Sequence, residues 1–322
     1  MTRNFLWINF WVLILTNQVF SQNYQWNVMN TFPGSEDITW DKQNQMAFIS
    51  CSERRKKSTL YKENGKILGY HNQKIMNLHD HLDFPFRPHG ISYLPSQNQL
   101  YVINHRSKKY TTIEIFQFYP DYPKLEHIRT LEHKSFISPN DLHVIDNEKF
   151  YFTNDPNCRS FFYLITHFIF RWNTDKVYFY DNNKTTLFCK MNYPNGIIQI
   201  DENLLISSIY KRRIEVYDLK GKRIHSIRLD SSPDNLEIDE QNHLWTATHL
   251  NFRKFIKHLK DSTKVSPFKI YKIENPLSQA YQILSIKVEE NGFSAASVAA
   301  PFRETVLVGC VFDGKILVGK KK

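Results

Sequence analysis

A short polar signature returns along the chain, and its residue types are those that bind hard cations. It sets Glu36, His89, Asn140, Asn195 and Asp234 just ahead of apolar stretches, followed directly by Asp37, Gly90, Asp141, Gly196 and Asn235. Carboxylates and amide carbonyls are what a hard cation requires, and a shell of about six to eight oxygens suits Ca²⁺ better than Mg²⁺ or Zn²⁺. No C-x-x-C or H-E-x-x-H spacing competes for zinc. Any one of these Asn or Asp residues alone reads as a turn former or a backbone hydrogen-bonding partner. Agreement between copies is what makes them a ligand ring. An ion held by Glu36, Asp234 and the amides of Asn140, Asn195 and Asn235 balances two positive charges with two negative ones. The neutral amides leave it electrophilic toward a carbonyl oxygen or water.

What positions these residues is a repeat. A polar residue, an alternating apolar strand, a polar turn and a second apolar strand recur. They read Asp37-Ile-Thr-Trp with Met46-Ala-Phe-Ile, Gly90-Ile-Ser-Tyr-Leu with Leu100-Tyr-Val-Ile, and Asp141-Leu-His-Val-Ile with Phe150-Tyr-Phe-Thr. Gly196-Ile-Ile-Gln-Ile with Leu204-Leu-Ile-Ser and Asn235-Leu-Glu-Ile with Leu244-Trp-Thr-Ala continue the series. A degenerate last copy surrounds Ser297-Val-Ala-Ala and Val306-Leu-Val-Gly-Cys-Val. Alternation and turn residues predict hairpins, several extended by a third strand such as Thr112-Ile-Glu-Ile-Phe-Gln-Phe. The copies lie roughly forty to sixty residues apart, the period of four-stranded blades. The predicted fold is therefore all-β, a six-bladed β-propeller whose inner strands aim the polar pairs at a central calcium-binding tunnel. Helices are scarce, with one expected at about Arg159 to Phe170.

With 322 residues, 24 Phe and 17 Tyr, the chain has enough apolar side chain for one large core, which argues against disorder. Its net charge of +10 invites a nucleic-acid reading, but the basic residues are scattered through loops such as Arg54-Arg55-Lys56-Lys57, Lys211-Arg212-Arg213 and the tail Lys320-Lys321-Lys322. None forms a stripe interleaved with stacking aromatics, so no nucleic-acid partner is expected. Arg3, the apolar run Phe5 to Leu15 broken only by Asn9, and Phe20-Ser21 have the layout of a secretory signal over residues 1–21. Val19-Phe20-Ser21 is an imperfect cleavage site, so a retained N-terminal anchor is the alternative. Residues 22–322 form the propeller, secreted or anchored to a membrane of the secretory pathway. That route suits the sequon Asn183-Lys184-Thr185 and permits disulfides among Cys51, Cys158, Cys189 and Cys310, which could equally all be free and buried.

The chain resembles the paraoxonases, the serum arylesterase/lactonases, over nearly everything after the signal region. The resemblance rests on Gly34-Ser-Glu-Asp, Phe86-Arg-Pro-His-Gly-Ile-Ser, Val102-Ile-Asn-His, Asn140-Asp with Phe150-Tyr-Phe-Thr-Asn-Asp, Asn195-Gly-Ile and Asp234-Asn. It implies two calcium ions. The catalytic one is bound by Glu36, Asn140, Asn195, Asp234 and Asn235, and the structural one by Asp37, Asp141 and the carbonyl of Ile91. It implies that His89 activates water with His105 orienting it, that His249 lies near the pocket mouth, and that a carboxylate ligand is the alternative base or nucleophile. The implied activity is metal-assisted hydrolysis of a lactone or ester. The matching segments near Phe161 to Trp172 imply a helix that caps the site and helps contact lipid; packing on the blades is the alternative. The family's long-range disulfide finds Gln25 and Val318 at its matching places, and Cys51 with Cys310 is a candidate substitute. Thr248 stands where the family commonly has a free cysteine. A non-catalytic, calcium-stabilised propeller serving as a binding module or membrane-associated assembly factor is the competing reading of the whole chain.

Overall fold

The computed structural model describes residues 24–107, 110–155, 174–286, 288 and 292–322. The alternating apolar stretches form strands that stack into six four-stranded antiparallel sheets. Blade 1 is β2 (Ser35–Asp41), β3 (Met46–Cys51), β4 (Lys66–His71) and β5 (Lys74–Asn77). Blade 2 is β6 (Pro88–Leu94), β7 (Gln99–Ser107), β8 (Tyr110–Tyr119) and β9 (Lys124–Leu131). Blade 3 is β10 (Pro139–Asp146), β11 (Lys149–Asn154), β12 (Asp175–Asp181) and β13 (Lys184–Met191). Blade 4 is β14 (Pro194–Ile200), β15 (Asn203–Ser208), β16 (Arg213–Asp218) and β17 (Arg223–Arg228). Blade 5 is β18 (Ser232–Ile238), β19 (Leu244–His249), β20 (Phe268–Glu274) and β21 (Gln282–Ile286). Blade 6 takes β22 (Ala296–Phe302), β23 (Thr305–Cys310) and β24 (Lys315–Lys321) from the C-terminus, and β1 (Tyr24–Asn30) from the N-terminal side. The inner strands β2, β6, β10, β14, β18 and β22 contact one another in turn around the axis.

The aromatic richness of the sequence is spent between blades. Phe48, Phe86, Phe116 and Phe118 fill the seam of blades 1 and 2, and Tyr101, Phe150, Phe152 and Tyr180 fill that of blades 2 and 3. Closure comes from β1 pairing antiparallel with β24, which sets Trp26 across from Gly319. A Cβ at Gly319 would lie 2.5 Å from the Trp26 ring, so the glycine makes room for the indole. Gln25 and Val318 lie on these strands but face Lys320 and Asn27, not each other. The Cys51–Cys310 bridge weighed from the sequence does not form. Both thiols are free and buried, as Cys189 is free, and Cys310 Sγ instead donates to the carbonyls of Asp313 and Lys315, each at 3.3 Å. Cys158 lies outside the described residues.

Every inner strand is irregular at its first turn toward the shaft. Register shifts fall between Ser35 and Asp37, Pro88 and Ile91, Pro139 and Leu142, Pro194 and Ile197, Pro233 and Leu236, and Ala296 and Val298. Adjacent side chains of a regular strand point to opposite faces, whereas a bulge re-aims one of them. The strands also begin a residue or two earlier than the repeat predicts, so the polar pairs sit inside the bulges. Four of these strands carry proline at or beside the shift, where a missing N–H costs no ladder bond.

The second residue of each polar pair alternates around the ring. Blades 1, 3 and 5 carry Asp37, Asp141 and Asn235, whereas blades 2, 4 and 6 carry Gly90, Gly196 and Ser297. A Cβ on Gly90 would lie 2.5 Å from the Asn140 carbonyl oxygen and 2.8 Å from Asp141 Oδ1; one on Gly196 would lie 2.6 Å from the Asp234 carbonyl oxygen. Small residues are thus required between the bulky ones. Among the described residues there is also one α-helix the repeat did not foretell, α1 (Phe252–Lys260), packed through Phe255 and Leu259 against Val311 and Phe312. The helix expected at about Arg159 to Phe170 lies outside the described residues, as do residues 1–21. No described helix is long and apolar enough to cross a membrane.

Candidate metal centre and active site

The bulges deliver a cluster of buried oxygens with nothing to bond. Asn140 Oδ1, Asn195 Oδ1, Asp234 Oδ1, Asn235 Oδ1 and Asp155 Oδ1 are all buried and lack a hydrogen-bond partner. Two of the amides are oriented by their other ends: Asn140 Nδ2 donates to Asp155 Oδ2 at 3.0 Å, and Asn235 Nδ2 to the Glu36 carbonyl at 3.2 Å. Burial without partners costs on the order of 1–3 kcal/mol per group, so such a set calls for a ligand. Burial, opposed by the Asn140 bond and reinforced by Asp175, Asp234 and Glu36, drives the Asp155 carboxyl well above its ordinary range. Burial raises Asp234 likewise, against the pull of His249. A cation among these oxygens would reverse both trends.

Glu36 completes the group and carries its negative charge. Burial opposes ionisation, but His89 and Arg54 hold the carboxyl below its ordinary value. Arg54 Nη2 approaches Glu36 Oε2 at 3.3 Å while Nη1 donates to the Ser52 carbonyl at 3.1 Å. Among the described residues, no three His, Cys, Asp or Glu side chains have metal-holding geometry by themselves. The unpartnered set is three amide oxygens to two carboxylate oxygens, and amide-rich, neutral-plus-anionic oxygen shells fit Ca²⁺.

Asp37 and Asp141 repeat one arrangement two blades apart. Asp37 accepts the N–H of Ile38 at 3.0 Å and, across the blade boundary, that of Ile91 at 2.7 Å. Asp141 accepts the N–H of Leu142 at 2.8 Å and that of Ile197 at 2.9 Å. Burial pushes both carboxyls well up, and for Asp37 the charges of Asp141 and Glu36 add to it. Ile91 thus meets Asp37 through its N–H, which leaves its carbonyl oxygen available for the metal role the resemblance implies.

The histidine pair forms a wire that ends on the carboxylate. Thr111 Oγ1 lies 3.1 Å from His105 Nδ1, His105 Nε2 3.1 Å from His89 Nδ1, and His89 Nε2 3.3 Å from Glu36 Oε1. Burial, with His89 and Arg54 adding to it, lowers His105 to about 3, so this ring is neutral near pH 7. An ionised carboxylate only accepts hydrogen bonds. His89 Nε2–H therefore donates to Glu36, and the neutral His105 ring links His89 Nδ1 to the Thr111 hydroxyl. Behind the wire, Glu114 is fully buried and ties β7 to β8. It accepts from Asn104 Nδ2 at 2.8 Å, Thr112 Oγ1 at 2.5 Å, Arg106 Nε at 2.9 Å and Thr130 Oγ1 at 2.6 Å. His249 closes the other side, with Nε2 2.8 Å from Asp234 Oδ2 and its ring 4.5 Å from that of Phe255 on α1.

The structure thus lines the shaft with Glu36, Asn140, Asn195, Asp234 and Asn235, sets Ile91 against Asp37, and joins His89 to His105. Asp155 and Glu114 were not singled out from the sequence. Asp155 ends the Phe150-Tyr-Phe-Thr-Asn-Asp stretch, but it lies beyond the repeated inner strand; Glu114 reads as one polar residue in an alternating strand. The segment near Phe161 to Trp172, expected as a cap, lies outside the described residues.

Fold and site define a class: a six-bladed propeller whose shaft is lined by oxygen donors beside a histidine pair. The chain belongs to the arylesterase family, whose model matches residues 31–318. Serum paraoxonase/arylesterase 2 of Gallus gallus is 26% identical over 301 residues, covering 89% of this chain and 77% of the relative. Serum paraoxonase/arylesterase 1 of Homo sapiens is 27% identical over 246 residues, covering 70% of this chain and 66% of the relative. A gluconolactonase from Xanthomonas campestris shares the fold at a TM-score of 0.57 and 14% identity, covering 92% of this chain and 89% of its own. A PQQ-bound aldose sugar dehydrogenase from Streptomyces coelicolor does so at 0.55 and 10%, covering 94% and 99%. Neighbours with such different names show that the architecture alone does not choose a reaction.

Proposed function

We propose that this protein is a calcium-dependent carboxylic-ester hydrolase acting on lactones and aryl esters, with one catalytic and one structural ion. The observation that carries the reading is the set of buried, unpartnered oxygens beside the His89–His105 pair; family membership and relatives named arylesterase and lactonase support it. Glu36, Asn140, Asn195, Asp234 and Asn235, with Asp155 behind them, would hold the catalytic ion, and Asp37 and Asp141 the structural one. When bound, calcium supplies Lewis-acid charge at a carbonyl oxygen.

The chain's own residues supply proton movement and orientation. With Glu36 turned to a cation, the wire can run as a base requires: His105 Nδ1–H donates to Thr111, His89 Nδ1–H donates to His105, and His89 Nε2 is free to take a proton from water. The threonine hydroxyl makes both directions available, because it donates and accepts. Asn140 is steadied by Asp155, which keeps its amide from turning away as charge develops nearby.

The purified protein is expected to hydrolyse phenyl acetate or simple lactones, to stop in EDTA and to recover with Ca²⁺. Folded, calcium-loaded protein inert toward a broad ester and lactone panel would sink the proposal. Glu36→Gln separates enzyme from scaffold: the enzyme loses activity with the fold kept, whereas a binding module keeps its partner. We also infer passage through the secretory pathway. Asn183 stands exposed at a hairpin tip where it and Asn182 take positive φ of 67° and 45°, an accessible place for a glycan. A glycosidase-sensitive mass shift lost in Asn183→Gln checks this.

A further inference from the structure

A cavity of about 310 Å³ opens beside His249, walled by Tyr210, Arg212, Ser232, Phe252 and Arg253. It begins where the described shaft ends, because His249 Nε2 meets Asp234 Oδ2 at 2.8 Å. The other ring nitrogen, Nδ1, belongs to a side chain only 6% exposed and has no partner. The cavity also receives the first turn of α1, which has no acidic residue and is capped by Asn251 Oδ1 on the Lys254 N–H at 3.1 Å. Helix starts of this kind favour negative charge.

The charge at this opening is positive. Arg54, Arg55, Arg106, Arg213 and Arg223 are each paired with a carboxylate. Arg212 and Arg253 form no such ion pair among the described residues. Arg212 Nη1 reaches only the Asp230 backbone carbonyl at 3.3 Å, while the Asp230 carboxylate is held by Lys269 and Tyr271, each at 2.5 Å. A second cavity, touching His89 and His105, is lined by Arg87, whose guanidinium stacks over Tyr61 at 5.2 Å. Arg212 and Arg253 thus bring positive charge without a carboxylate partner to the wall of the first cavity.

Resting on the hydrolase reading above, we infer that the cavity beside His249 selects esters and lactones carrying a carboxylate remote from the scissile carbonyl. Arg212 and Arg253 receive that carboxylate, and the apolar walls of Tyr210 and Phe252 cover the chain between the two groups. Attraction of this kind raises the rate of encounter and weakens with salt.

The test compares monophenyl glutarate with phenyl pentanoate, esters of similar length that differ in one terminal carboxylate. Wild-type protein is expected to favour the anion in kcat/KM by about tenfold, chiefly through KM, and to lose that preference as ionic strength rises. Arg212→Gln with Arg253→Gln should bring the ratio near one, while Arg223→Gln on the outer strand of blade 4 keeps the wild-type ratio. Glutarate binding to the calcium-loaded protein, read by calorimetry, gives a second measure without turnover: it should weaken about tenfold in the double variant. No preference for the anionic ester, or equal glutarate binding in both proteins, overturns the inference. If neither ester is turned over but glutarate binding still falls in the double variant, the hydrolase reading fails while the cavity's selectivity stands.

Discussion

Glu114 accepts from Asn104, Arg106, Thr112 and Thr130 with its carboxylate out of solvent, and His127 Nε2 lies 3.0 Å from its second oxygen. Its neighbours in sequence explain its importance: Asn104 precedes His105, and Thr112 follows Thr111. Burial opposes its ionisation, but these bonds hold it at about 2 against an ordinary 4.5. A lowered folded value means stability present above about pH 4.5 and lost as pH falls toward 2, on the order of 3 kcal/mol. Urea midpoints measured from pH 6 to pH 3 should therefore drop more steeply for wild type than for Glu114→Gln. The same variant should lower kcat more than it raises KM, because it loosens the strands under the histidine wire. His89→Gln is expected to cut kcat by about a hundredfold or more with calcium content unchanged, the usual weight of a general base. At this scale the sequence was readable wherever a residue recurred in register with others, as Asn140, Asn195 and Asn235 do. Glu114 lies outside the inner-strand signature; its one sign was Glu215, which holds the matching place in the third strand of blade 4 and is likewise buried against arginines.

Strands carry the next level of specification, and their irregularity does the aiming. The bulge at the head of each inner strand lets neighbours such as Glu36 and Asp37, or Asn140 and Asp141, serve stacked layers of one shaft. Alternation in the sequence predicts a regular strand and therefore cannot show a bulge; the prolines 88, 139, 194 and 233 were the available sign. The helix α1 had a sign too, with Phe252, Phe255, Ile256 and Leu259 at helical spacing after the cap Asn251. A chain read for hairpins passes over it. Gly90→Ala would force a methyl against the Asn140 carbonyl and Asp141. A cost of about 1–3 kcal/mol is expected, with weaker calcium binding, measurable by urea unfolding and calcium titration. Trp26→Ala removes the indole that locks β1 onto β24, and about 3–5 kcal/mol of stability with it.

Seen whole, the molecule is a ring closed by its own two ends, with its most costly groups at the centre. Removing calcium is expected to lower the thermal midpoint, since an ion bound only by the folded ring stabilises it by about 4 kcal/mol at a thousand times its Kd. Scanning calorimetry in EDTA and in Ca²⁺ measures the difference, and an unchanged midpoint would mean that the shaft tolerates its unpartnered oxygens. Blade number was legible because the hairpin recurs; the closing strand was not, because Tyr24–Asn30 lies ahead of the first recurring copy and pairs with residues nearly three hundred positions away. The alternation of Asp37, Gly90, Asp141, Gly196, Asn235 and Ser297 also fixes what kind of number six must be. A bulky polar residue needs a small one on either side, and around a closed circuit that pattern is consistent only for an even count. Gaining or losing a single blade would seat two large residues, or two small ones, side by side. Within this ring the unit that repeats is therefore the pair of blades, one carrying the bulky polar residue and the next the small one that makes room for it.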